Sequence, residues 1–178
     1  MKARKPAVIA GILLLVVAAA APASELAINV YSQTNPAWGN DRMGNGGTVR
    51  QQGCLMTSVA MALRVSPKDF NAWLNANGGY ANGGLLNHQR AAAYDGPGGL
   101  EYVGAGNLPL SWDAIDRGIA RGGVYIVRSR RFSEHWCIAF KAGNGQAYYA
   151  DPYDGTVRRV GDGFVNYGNE ARIYSIGR

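Results

Sequence analysis

The ten residues from Cys54 to Leu63 read Cys-Leu-Met-Thr-Ser-Val-Ala-Met-Ala-Leu and place apolar groups on every side of a helix. A helix that is apolar all round is a buried helix, so this segment predicts a central element covered by the rest of the chain. Ser66-Pro67-Lys68-Asp69 opens a second helix. Ser66 caps it, Pro67 suits the first helical position, and Asp69 complements the dipole. Phe70, Trp73 and Leu74 form its apolar face, and Gly78-Gly79 stops it. Leu85 to Tyr94 carries a weaker helical pattern. Ser111 to Arg121 carries a clear one, capped by Ser111, faced by Ile115 and Ile119, and stopped by Gly122-Gly123.

The second half changes period. Val124 to Val127 reads as a buried strand, and His135 to Lys141 as another. Ala147 to Ala150 pairs back onto the latter across Gly143-Asn144-Gly145, because Asn-Gly between apolar runs is a strong hairpin signal. Asp154-Gly155 turns the chain into Thr156–Val160, and Arg172–Ile176 is the last strand. Upstream, Leu26–Val30 is a candidate short strand, and the Gly- and Asn-rich stretch from Asn35 to Gln52 is a loop. Helices first and hairpin-linked strands afterwards predict an α+β fold, with N-terminal helices packed on a C-terminal antiparallel sheet.

Residues 1–23 read as an address. Lys2, Arg4 and Lys5 precede an apolar run from Ala7 to Ala21, and Ala21-Pro22-Ala23 has the small residues of a cleavage site. This is the pattern of a secretory signal peptide, and the apolar run is short for a membrane span. The expected mature chain is one domain, residues 24–178, exported to the periplasm or secreted, monomeric, and not inserted in a membrane once the signal is cut. The address supplies half of the formal charge of +6. Basicity is therefore poor evidence for a nucleic-acid partner, and none is expected. Arg128, Arg130, Arg131, Arg158 and Arg159 read as solvated positions flanking strands.

Cys54 follows Gly53 and opens the buried helix, where the dipole favours a thiolate nucleophile. His135 starts a strand, and Asp151 ends the hairpin partner of that strand. The hairpin sets Asp151 beside His135, giving the nucleophile, base and orienter that acyl transfer requires. Each residue alone has a plainer reading: a packed thiol, a structural imidazole, a turn carboxylate. Cys137, two residues after His135, points to the same side of the strand. In an exported chain a Cys54–Cys137 disulfide would abolish or gate the chemistry, but the apolar strand around Cys137 favours a core thiol. His88 reads as a surface helix residue. Neither a metal-ligand spacing nor a phosphate loop followed by Lys-Ser or Lys-Thr is present, so no metal or cofactor is expected.

Several segments resemble the small bacterial papain-like cysteine peptidases grouped with the bacteriocin leader-processing (double-glycine) peptidases. They are Tyr31-Ser32-Gln33-Thr34-Asn35-Pro36-Ala37-Trp38-Gly39, Gly53 to Leu63, Pro67 to Gly79, His135-Trp136 and Tyr149-Ala150-Asp151-Pro152. The resemblance implies a papain-like fold and thiol-dependent hydrolysis of peptide or related amide bonds in a peptide or protein substrate. Cys54 would attack, His135 would shuttle the proton, Asp151 would orient His135, and Gln33 would help hold the oxyanion. Gln51 and Gln52, nearer Cys54, compete with Gln33 for that last role. Two rival readings remain: a catalytically silent papain-like domain that binds peptides or a partner protein, and a cell-wall peptide hydrolase with the same triad.

Overall fold

The computed structural model describes residues 24–106, 112–129, 135–143, 146–160 and 170–177. The address segment, the Ser111 cap, Arg130, Arg131 and the Asn144-Gly145 turn lie outside them. No helix among the described residues is long and apolar enough to cross a membrane.

The helical part comprises α1 (Val49–Gln52), α2 (Cys54–Leu63), α3 (Pro67–Ala76), α4 (His88–Ala92) and α5 (Trp112–Ile119). α2 is the central element its composition demands: every residue from Met56 to Leu63 is buried. It ends at Arg64, the one non-glycine residue among those described with positive φ, whose N–H reaches back to Met61. In α3 the Ser66 hydroxyl accepts from the Asp69 N–H at 3.1 Å, the cap expected from sequence. The 35–52 stretch is not all loop. Thr48 caps the single turn of α1, and the N–H of Thr48 donates to Gln51 Oε1 at 2.9 Å. The pattern from Leu85 to Tyr94 yields helix only at α4, because Leu85–Leu86 (β3) pairs with Tyr80–Ala81 (β2) and Asn87 caps afterwards.

The remaining strands are β1 (Ser24–Glu25), β4 (Leu100–Gly106), β5 (Gly123–Ser129), β6 (His135–Gly143), β7 (Gln146–Asp151), β8 (Thr156–Arg159) and β9 (Ala171–Ile176). They form one antiparallel sheet in the order β4-β9-β5-β6-β7-β8, with β1 paired to β6 beyond the end of β5. The fold is thus mixed helix and antiparallel sheet, as the two periods predicted. Leu26–Val30 is not a strand. After Leu26 donates to Phe140 O, the chain leaves the sheet and Asn29 binds the carbonyl of Met61 at the end of α2. The last strand, β9, lies between β5 and β4, and β4 is a strand the sequence did not announce. α2 and α5 both pack on β5 and β6, closing one core that includes Met56, Val59, Leu63, Ile115, Ile126, Ile138 and Tyr174.

Candidate functional site

Gly53 joins α1 to α2 and aims the first residue of α2 into a cleft. Its φ of −81° is open to any residue, so conformational freedom is not why glycine stands here. A Cβ at this position would run into the Val49 carbonyl and side chain. The close approach of the two helices therefore requires glycine, and it leaves Cys54 half-buried at the positive end of the α2 dipole. Cys54 lines a cleft of about 840 Å³ together with His135, Gln33, Trp136 and Tyr153.

His135 begins β6 opposite Ser129 of β5, and Asp151 ends the neighbouring strand β7. Their side chains meet across the β6–β7 hairpin, as expected from sequence: His135 Nε2 lies 2.8 Å from Asp151 Oδ1, with His135 6% exposed and Asp151 0%. A carboxylate buried this deeply must be fully partnered, and Asp151 is. It also accepts from the N–H of Tyr153 at 2.9 Å, while Arg158 donates to its other oxygen at 3.4 Å. Burial alone would lower the pKa of His135. Its hydrogen bonds with Asp151, Cys137 and Cys54 outweigh that and raise it, so the ring favours the imidazolium form.

The two cysteines are both free thiols, and the structure separates their characters. Cys137 is wholly buried beside Tyr149, and burial pushes its thiol up to about 11 against the pull of His135. It is a packed, protonated thiol at neutral pH, as the apolar strand predicted. It is also closer to the chemistry than that reading supposed. Ligand atoms of His135, Cys137 and Asp151 lie within 4.8 Å of one another, a grouping of possible metal ligands that sequence spacing did not show. Nitrogen and oxygen ligands of a tetrahedral zinc sit about 3.3 Å apart. A cation held by His135 Nε2 and Asp151 Oδ1 would have to break the 2.8 Å bond between them.

Gln33 is 4% exposed and lines the same cleft as Cys54. Its backbone N–H donates to Pro152 O at 2.6 Å, and Ser32 Oγ donates to Tyr153 O, so its segment is strapped to the turn that follows Asp151. Gln33 Nε2 donates one hydrogen to Arg50 O at 2.9 Å, which orients the amide and leaves its second hydrogen for a ligand. Gln51 and Gln52 line the cleft as well, with different anchors. Gln51 closes the cap of α1, and Gln52 Nε2 donates to Gly83 O at 3.0 Å.

Other cleft residues were misread or passed over in sequence. His88 is not a surface residue: it lines the cleft, stacks on Tyr102 at 4.8 Å, and meets Tyr174 Oη at 2.6 Å. Arg128 of β5 pairs at 2.9 Å with Glu170, the residue before β9, and Arg158 pairs with Asp154, so neither is simply solvated. Arg172 also lines the cleft, its guanidinium over the Trp136 ring. The alternation of β9 marks which of its side chains share a face, but nothing local in the sequence shows that β9 sits beside β5. No family model matches the chain, and no curated protein matches it either.

Proposed function

We propose that the protein is a thiol-dependent hydrolase of peptide or related amide bonds, with Cys54 as nucleophile, His135 as acid and base, and Asp151 as the group that orients His135. One observation carries the reading: a buried imidazole bonded at 2.8 Å to a fully buried carboxylate, in the same cleft as a half-buried thiol at a helix N-terminus. With Nε2 held by Asp151, Nδ1 is the nitrogen that exchanges a proton with Cys54. The ring holds the proton taken from the thiol, the thiolate adds to the carbonyl, and the imidazolium then protonates the departing amine. Water, deprotonated by the same imidazole, releases the acyl group from Cys54. The free hydrogen of Gln33 Nε2 is the proposed donor to the oxyanion, a contribution of about 3 kcal/mol to the barrier. The papain-like architecture and export through residues 1–23 belong to the same proposal; the antiparallel sheet and buried helix support the first.

The test is digestion of a degenerate peptide library by residues 24–178, with products read by mass spectrometry. Cleavage lost in Cys54→Ser supports the hydrolase. Peptide binding without cleavage, equal in both proteins, would instead make this a silent binding domain.

A further inference from the structure

The chemistry of Cys54 and His135 does not account for the charge of the cleft. Among the described residues Arg50, Arg128 and Arg172 line it, against the single carboxylate of Glu170. Arg128 is neutralised by that carboxylate at 2.9 Å. Arg172 is not. Its guanidinium carbon stands 4.7 Å from the Trp136 ring centroid, and its hydrogen bond, to the carbonyl of Ala171, is long at 3.4 Å. Among the described residues no carboxylate lies within 4.0 Å of it. A guanidinium carries five donors in a rigid fork suited to a carboxylate. Stacking on an indole fixes the plane of that fork while leaving its edge free, so less freedom is lost when an anion docks.

The cleft brings this fork and the reacting atoms together, since Arg172 and Trp136 line it with Cys54 and His135. Trp136 follows His135 on β6 and pairs with Arg128 of β5, while Ile126 of β5 pairs with Arg172 of β9. Trp136, Arg128 and Arg172 therefore share one face beside the start of β6. His135 hands its proton to the departing amine, and Trp136, the next residue along the chain, carries the stacked fork of Arg172 in the same cleft, which sets that fork towards the leaving-group side of the substrate. We propose that Arg172 is the specificity-determining residue of the cleft and selects substrates with a carboxylate on the leaving-group side of the scissile bond. This rests on the hydrolase reading for the word substrate, and the carboxylate has two possible sources, an Asp or Glu side chain or a free chain end. A consequence is already visible at His88, where burial and the charge of Arg172 together lower the imidazole pKa to about 4.

The experiment compares C-terminally amidated octapeptides carrying Glu, Gln or Lys after the scissile bond, and a free-acid Gln peptide cut to end there. The account predicts a Glu-over-Gln preference in kcat/KM of about tenfold, the worth of a charged hydrogen bond. That ratio falls to about one in Arg172→Gln and reverses towards Lys in Arg172→Glu. It stays in Lys68→Gln, which removes the same charge from α3, outside the cleft. A preference for the free acid over amidated Glu assigns the chain end as the source. If no peptide is cleaved the hydrolase reading fails, but the receptor is still tested by titrating the same peptides into Cys54→Ala and following Trp fluorescence. An equal Glu and Gln ratio, or one that survives Arg172→Gln, overturns the proposal in either format.

Discussion

His135 and His88 line the same cleft, yet their surroundings push the two imidazoles in opposite directions. His135 is the more deeply buried, but its ring nitrogen meets a carboxylate and its environment favours the cation. His88 is more open. It meets a hydroxyl and a neighbouring arginine instead, and stays neutral well below the usual pH. Neutral Nδ1 then accepts from Tyr174, whose own phenol is held protonated by burial. Burial is common to both sites; what separates them is the charge of the nearest partner. An imidazole that favours its cation and a packed neutral ring thus arise from one residue type, and the comparison can be broken by exchanging what each ring touches.

The largest effect belongs to the reacting groups. Cys54→Ala and His135→Ala are each expected to lower kcat/KM by about 10³-fold or more, measured on a cleaved library peptide, because residues that act as a unit fail as a unit. His88→Gln should cost less than about tenfold, since His88 touches Tyr174 and not the thiol. A comparable loss in both histidine variants would erase the distinction between them.

Asp151 comes next. Asp151→Asn retains the shape and should lower kcat by about 10–100-fold, the usual cost of removing a group that orients another. Asp151→Ala strips the buried imidazole of its partner and should also destabilise the fold by about 3 kcal/mol in denaturant titration.

The two histidines also give opposite pH dependences of stability. For His135 the folded pKa lies above the unfolded value of about 6.5. Its contribution is complete below that pH and is lost as pH rises towards the folded pKa. For His88 the folded pKa lies below, at about 4. Its contribution is complete above 6.5 and is lost as pH falls from 6.5 to 4. Between pH 4 and 6.5 the melting temperature of His88→Gln should therefore fall less steeply than that of the wild type. Parallel curves would contradict the environment assigned to His88.

The smallest effect is expected at Cys137. Cys137→Ala should change kcat/KM by less than about threefold and stability by about 1 kcal/mol, as a packed thiol that touches His135 but takes no part in bond making.

What could be read from the sequence follows the range of the forces involved. The cap of α3 is a contact between Ser66 and Asp69, three residues apart, and the β6–β7 hairpin joins neighbours, so both were legible, as was the His135–Asp151 pair it creates. β4 was not. Leu-Glu-Tyr-Val-Gly-Ala-Gly is a poor strand by propensity, and it is ordered by pairing with β9, some seventy residues away. The same distance hid the cleft residues Arg172 and Glu170 on and beside β9. His88 was misread because its cover, Tyr102 and Tyr174, comes from those two strands.

The central claim is that Cys54 is a nucleophile maintained by His135. Alkylation with iodoacetamide at pH 6, with the modified residue located by mass spectrometry, tests it most directly. The account predicts rapid modification of Cys54 alone, at a pH where a free thiol of pKa about 8.5 is almost inert, and slowing by about 100-fold or more in His135→Ala. Modification no faster than that of a free thiol, or unchanged in His135→Ala, would contradict it.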